Sequence, residues 1–283
     1  MEWQQCPIVN SPPANAIDVG YVENVNSMEI RLHVHNSYQI IYISEGIAEF
    51  TINKRVYTAD TDSLIFISNL ESHKLKALQF PYKRYLIQIK PDCLSALISE
   101  PRLISILKNR PETFRHVIKL KQEESAEIAS LFRSMYMETE NKADFLNTAV
   151  GSYLQLLLIS LFRNHKQCFP LYELNHSINL VMQVQKYLEV NILEQVSLKD
   201  VSKEFYTDMY YLSHLFKKIS GYTFKEYLIL QRISRAKDLL VYGNDNITQV
   251  AMNSGFGNVN HFIRIFKKLE GVTPLQYRKS RVE

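Results

Sequence analysis

Asn260 and Arg264 stand four positions apart, a spacing that puts both side chains on one face of a helix. An asparagine amide can bridge N6 and N7 of adenine, and a guanidinium can fork onto O6 and N7 of guanine. Val259, beside them, suits a thymine methyl, and Ile263 shares their face as a tolerated apolar residue. Lys267 follows one turn on, where a phosphate oxygen is the natural partner. Fifty positions earlier Tyr210, Ser213, His214 and Lys217 repeat the arrangement, with hydroxyls and an imidazole in place of the amide and the fork. The chemistry on offer is that of reading a duplex. A second set of polar side chains lies in the other half of the chain. Arg31, His33 and His35 alternate and so share one face of a strand, which suits a polar or anionic effector; Tyr42 on the next strand completes that set. Cys6, Cys93 and Cys168 are odd in number and far apart, so they suggest neither a disulfide framework nor a zinc motif.

The elements that must hold the duplex-reading residues are marked by a repeat. Phe216 to Tyr227 and Phe266 to Tyr277 share the pattern F-K-K-x-x-G-x-T-x-x-x-Y. Gly221 and Gly271 fall where a left-handed residue ends a helix without a Cβ penalty. Thr223 and Thr273 then cap the next helix, with Glu226 and Gln276 placed to complete capping boxes, and Pro274 takes a first helical position. Two units are too few for a solenoid, so the pattern reads as a duplicated helical module. In the first copy Ser197 opens a short helix ending near Phe205, and Asp208 caps a second over Met209–Ser220. In the next, Asn246 caps Ile247–Ser254, Gly255-Phe256-Gly257 turns, and Asn258 caps Val259–Glu270. Short helix, tight turn and second helix is the order of a helix-turn-helix. A long helix from Phe224 to Val241 joins the copies, and an amphipathic helix over Ile178–Val190 precedes them. Leu212, Leu215 and Phe216, and later Phe262, Ile265 and Phe266, form the inward stripes.

The N-terminal half reads as strands and then helices. Ile30–His35, Tyr38–Ser44, Phe50–Ile52, Val56–Thr58, Leu64–Ile67 and Tyr85–Ile89 are strand-like, Glu45-Gly46 reads as a turn, and the spacing suits a small barrel or sandwich. After Pro91 come helical stretches: one from Leu94 to Leu107, one over about 122–137 and one over about 144–163. In the last of these Leu154, Leu157, Leu158 and Leu161 make a strongly apolar face. Two roles compete for it: packing in cis on the barrel, or a two-fold dimer contact. The dimer is favoured, because Leu156 and Ile159 extend the apolar surface around the helix. Residues 164–177 lose periodicity and contain Pro170, which predicts a linker.

Composition fits an ordinary globular protein, with 46% hydrophobic and 22% charged residues over 283 positions. The basic excess is confined to the half with the repeat, where 15 Lys+Arg stand against 10 Asp+Glu over 179–283; residues 1–178 carry 18 against 19. That asymmetry points to a polyanionic partner. No signal sequence is visible in Met-Glu-Trp-Gln-Gln-Cys-Pro, and the run Phe145–Phe162 is too short and polar to span a bilayer. A cytoplasmic protein is expected.

His33-x-His35-x-x-x-Gln39, Gly46 and a distant His73 resemble the metal-binding pattern of cupins. Gln39 replaces the expected carboxylate, and a neutral amide is a poor ligand for iron or manganese. No metal and no cofactor is therefore expected. More specific is the resemblance of the last hundred or so residues to the AraC/XylS family of transcription regulators. It is carried by Leu212–Lys218, Gln231–Leu240, Ile247–Ala251, Gly255-Phe256 and Phe266–Arg278. The resemblance implies a bacterial regulator that binds promoter DNA, usually activates transcription through RNA polymerase, and carries an effector and dimerisation domain similar to this N-terminal half. The expected fold is α+β in two domains. A cupin-like β-barrel over about 20–90 with helices over about 91–163 makes a domain at 1–163, a linker follows at 164–177, and an all-α double helix-turn-helix fills 178–283. The expected function is a homodimeric activator that answers a small molecule and is not an enzyme. The alternative is a cupin-type metal-dependent enzyme or metal sensor fused to a DNA-binding module. A repair protein with a reactive cysteine lacks support, since the thiols are not clustered.

Overall fold

The computed structural model describes residues 16–33, 37–142, 144–169 and 176–282. The chain divides into two compact units: 1–108 with 113–172, and 109–112 with 173–283.

The first unit is built on two long antiparallel strands, β3 (Tyr38–Ile52) and β6 (His73–Ile89), paired over their whole length. Each continues into a different pair of neighbours. β1 (Ile17–Asn24) lies along the C-terminal half of β6 and β2 (Glu29–His33) along its N-terminal half. β5 (Ser63–Ile67) flanks the start of β3, β4 (Arg55–Asp60) its end, and β7 (Val117–Lys119) the far side of β5. The turn expected at Glu45-Gly46 is instead an irregularity inside β3, where the register shifts between Ile43 and Ala48. Gly46 is required there. Its φ is +90°, and a Cβ would come within 2.6 Å of the Pro81 carbonyl oxygen and 2.7 Å of that of Gln79.

The shift changes which residues face the core. Ile41 and Ile43 point inward before it and Ala48, Phe50 and Ile52 after it. On β6 the inward set is likewise Leu75 and Ala77, then Tyr82 and Leu86. One sheet thus curls into the expected barrel-like half with an apolar interior. β1 and most of β6 escaped the sequence reading, because residues such as Gln79, Lys83 and Arg84 break the apolar alternation.

Four helices follow: α1 (Leu94–Leu97), α2 (Pro101–Lys108), α3 (Gln122–Asn141) and α4 (Leu146–Asn164). Tyr21, Tyr42 and Tyr85 on the outer sheet face meet Phe132 and Tyr136 of α3, with Tyr42 stacked on Phe132 at 5.2 Å between centroids. The apolar stripe of α4 is a correction. Leu154, Leu157, Leu158 and Leu161 are 0–1% exposed within one chain, so they have no surface to give a second copy. α3, α1, α2 and β1 together surround α4, which a sequence reading of one helix could not foresee. The segment after α4 is also packed: Cys168 and Phe169 are buried, and the Phe169 ring meets Phe66 edge-on at 6.0 Å. Of the expected linker, residues 170–175 lie outside the described residues.

The second unit is helical throughout: α5 (His176–Val190), α6 (Leu198–Glu204), α7 (Met209–Ser220), α8 (Phe224–Tyr242), α9 (Ile247–Asn253), α10 (Val259–Glu270) and α11 (Pro274–Val282). Ser197 and Asp200, Thr223 and Glu226, and Asn246 and Gln249 form capping boxes. Gly221 and Gly271 end their helices at φ +84° and +77°. The repeat owes its first and last letters to one contact. The Tyr227 ring packs edge-on against Phe216 at 5.3 Å, and Tyr277 does the same to Phe266 at 5.4 Å.

Candidate nucleic-acid interface

α6 with α7, and α9 with α10, are two helix-turn-helix units at either end of α8. Each second helix is sharply two-faced. In α7, Leu212 and Phe216 are buried while Tyr210, Ser213, His214 and Lys217 are exposed, Tyr210 at 79%. In α10, Phe262 and Phe266 are buried while Asn260, Arg264 and Lys267 are exposed. Val259 and Ile263 are half-buried and pack on the core of Val250, Phe256 and Phe262, so only part of each side chain faces out. The N-terminal turns are fixed by caps: Asp208 accepts from the Tyr211 N–H at 2.8 Å, and Asn258 from the His261 N–H at 2.9 Å.

The turns before these helices are built alike. Thr207 N–H donates to the Ser202 carbonyl, and Phe256 N–H to the Ala251 carbonyl, each at 2.9 Å. The left-handed position falls on Tyr206 in the first turn, at φ +48°, and on Gly255 in the second, at φ +90°. A Cβ on Gly255 would overlap the Ile192 carbonyl oxygen and lie 2.8 Å from Arg232 Nε. Tyr206 is 98% exposed, so nothing prevents its side chain from standing out from the turn.

Several cations of the basic half are engaged with neighbouring segments of their own unit, which the charge count could not show. Arg232 is buried and donates to the Ile192 and Glu194 carbonyls, and desolvation lowers its pKa below the usual guanidinium value. Arg235 donates to the Asn253 carbonyl at 2.8 Å, and Arg278 to those of Leu240 and Asp245. Lys237 and Glu270 form an ion pair at 3.0 Å with both side chains 5% exposed, fastening the end of α10 to α8. Between the two helix-turn-helix motifs, within the second unit, lies a cleft of about 630 Å³. The N-caps Ser197, Thr223 and Asn258 line it together with Ser213, Lys225 and His261. Helix N-termini carry partial positive charge, and at two of these caps the Asp200 and Glu226 carboxylates already accept from the Ser197 and Thr223 N–H groups.

In the N-terminal unit two of the candidate effector residues, His33 and Tyr42, lie on opposite faces of the sheet. His33 and His73 are cross-strand partners with rings 4.2 Å apart, and His73 Nδ1 bonds the Glu71 carbonyl at 3.0 Å. Gln39 pairs in register with Gln88 instead. Tyr42 lies on the outer, helix-covered face and donates to Asp62 at 2.7 Å; burial, then that carboxylate, pushes its pKa well up. His35 and the Arg31 side chain lie outside the described residues. Among the described residues no group of three or more His, Cys, Asp or Glu is placed to hold a metal ion. Burial raises the pKa of the free thiols Cys93 and Cys168.

Two outward-reading helices on a shared connecting helix, with a curled sheet as a separate unit, define a two-domain DNA-binding regulator. The family described as AraC-like ligand binding domain matches residues 21–158, and the helix-turn-helix domain family matches residues 201–280. The bifunctional transcriptional activator and DNA repair enzyme AdaA of Bacillus subtilis is 31% identical over 147 residues, covering 52% of this chain and 67% of AdaA. The transcriptional activator RhaS of an Enterobacter species is 23% identical over 252 residues, 88% of this chain and 87% of RhaS. In fold the whole chain is similar to ToxT of Vibrio cholerae, with a TM-score of 0.61 at 15% identity over 95% of this chain and all of ToxT. Another ToxT structure, with a TM-score of 0.57 at 16% identity over 93% of this chain and 94% of that one, has an unsaturated fatty acid bound. The chain belongs to the AraC/XylS family of transcription regulators, with a ligand-binding domain before its helix-turn-helix domain.

Proposed function

We propose that the protein is a transcription activator that places α7 and α10 in two successive major grooves on one face of promoter DNA. The observation that carries this reading is the paired polarity of the two helices, each buried through its Leu/Phe stripe and exposed through its polar one. Asn260 and Arg264 are the base readers of the second unit, with Val259 offering a methyl contact beside them. Tyr210, Ser213 and His214 are the counterparts in the first, and Lys217 and Lys267 hold phosphates. The backbone between the grooves would cross the cleft ringed by Ser197, Thr223 and Asn258. Activation follows the RhaS and AdaA relatives and requires contact with RNA polymerase, in the cytoplasm where promoters lie.

The N-terminal unit is proposed to receive a small molecule and to pair two copies. With the four buried leucines excluded, the outer strip of α4 around Leu156, 54% exposed, and Ile159 is the remaining apolar candidate for the pairing. The repair chemistry named for AdaA is not proposed: among the described residues no second thiol stands beside Cys93 or Cys168, and both thiols are disfavoured as thiolates. The test is a footprint of the full chain on its own upstream DNA. Two protected segments about 34 Å apart per protomer are expected; a single protected segment would refute the two-groove reading.

A further inference from the structure

We infer that the interior of the curled sheet binds a small carboxylate, with Arg84 as its anchor. This deepens the reading of the N-terminal unit as the ligand-receiving domain and rests on it.

Arg84 is 1% exposed and sits between Tyr82 and Leu86 on the inward face of β6. Among the described residues of this unit no other Lys or Arg is buried, and none of the recorded ion pairs neutralises Arg84. Its Nε and Nη2 meet no acceptor among the described residues. The guanidinium lies 5.8 Å from the centre of the Tyr82 ring and acts on the buried Tyr82 hydroxyl, whose pKa burial raises and Arg84 pulls back; that hydroxyl has no other partner. Asn24 Oδ1, whose residue is the register partner of Tyr82 on β1, is a third unmet atom at the same place.

A second group lies further along the same face. Gln39 and Gln88 are register partners, both 2% exposed or less, and the Nε2 of each lacks an acceptor. Asn69 Nδ2, two residues past Ile67 in the strand register beside Gln39, is unmet as well. Ile41 and Leu86 separate the two groups with an apolar level.

Buried donors in folded proteins are satisfied almost without exception, and a buried guanidinium without an anion is among the most costly arrangements. Here the unmet atoms gather on one interior face, and most are donors. A ligand that completes them must be acceptor-rich and negative. A single guanidinium matches one carboxylate, bound as a bidentate fork. A phosphate dianion would need further positive charge, and among the described residues of the unit Arg84 alone supplies it from a buried position. A short carbon skeleton joining the two groups would lie against Ile41 and Leu86, with Gln39 and Gln88 placed to donate to further oxygens beyond them.

The test is thermal denaturation of the full chain in sodium propionate, in propionamide with sodium chloride at equal ionic strength, and in sodium chloride alone. Propionate is expected to raise the wild-type Tm by about 2 °C or more and propionamide to leave it unchanged. Arg84→Met is expected to equal or exceed the wild-type Tm in chloride, since it removes a buried unpaired charge, and to lose the propionate shift. Arg84→Lys, which keeps the charge and loses the fork, is expected to retain a smaller one. Equal shifts with acid and amide, no shift in the wild type, or a shift that survives in Arg84→Met would each overturn the proposal. So would a large loss of stability in Arg84→Met and Arg84→Lys alike in chloride, since Arg84 would then be a structural group. Promoter binding of the same preparations, measured without propionate, tests the regulator reading separately. Its loss in wild type would sink that reading and leave the propionate result standing.

Discussion

At the scale of the residue, what distinguishes a base reader from an anchor is position on the helix. Arg264 is exposed on α10 four residues after Asn260, while Lys267 lies a turn nearer the C-terminus. Losing a bidentate base contact costs about 1–3 kcal/mol and relaxes preference at one base pair, whereas losing a phosphate contact weakens all sequences alike. Arg264→Ala is therefore expected to flatten discrimination at one position. Lys267→Ala should leave the profile intact and reduce the salt-dependence slope by roughly one ion. Affinity against a panel of single-base variants at two salt concentrations separates them; an unchanged profile in Arg264→Ala would make Arg264 an anchor only. Backbone geometry gives a second pair of residue-level outcomes. Gly255→Ala places a Cβ against the Ile192 carbonyl at a left-handed φ, and should destabilise the C-terminal unit by about 1–3 kcal/mol in denaturant titration. Tyr206→Asn in the matching turn should stabilise it by about 0.5–1 kcal/mol, because Asn tolerates that φ and the exposed Tyr206 ring gives up little packing.

At the scale of the element, α4 shows how an apolar face on a helix is ambiguous until its neighbours are known. Its leucine stripe is enclosed by α3, α1, α2 and β1, and Gly151 lets Leu97 approach so that a Cβ would sit 3.3 Å from its side chain. Leu157→Glu with Leu161→Glu should therefore unfold the N-terminal unit, each change costing at least about 3 kcal/mol, with loss of its tertiary circular dichroism. A soluble, folded monomer from that double variant would restore the dimer-face reading. α8 carries the opposite lesson. Its Arg232, Arg235 and Lys237 look like a basic surface in sequence, yet each is engaged with a carbonyl or a carboxylate of a neighbouring segment. The connecting helix works as a frame for both reading helices.

At the scale of the whole molecule, the two units are separately cored, and the side chains proposed to read DNA all belong to one of them. A fragment over 173–283, which keeps the second unit apart from residues 109–112, is expected to fold alone, to bind DNA as a monomer and to protect two adjacent groove segments. Analytical ultracentrifugation with footprinting of the fragment decides it. Loss of all binding on removal of the first unit would mean that the reading helices need a second copy held in place by that unit.

The C-terminal unit was legible in the chain because its determinants are local. Caps such as Asp208 and Asn258, the glycines at 221 and 271, and the 3.6-residue stripes act over a few positions, so helix bounds over 197–277 follow the sequence within one or two residues. Even the repeat's paired Phe and Tyr were visible, although their ring contact was not. The N-terminal unit was legible only as a class. The pairing of β3 with β6, the shift at Gly46 that changes the inward face, and the enclosure of α4 depend on residues tens of positions apart. Strand alternation cannot reveal which partner a strand meets, because period two is the same for every register. Arg84 was silent in sequence for that reason. Nothing in its neighbours Lys83 and Tyr85 marks it as buried, and only the curl of the sheet turns it inward with Nε and Nη2 unmet.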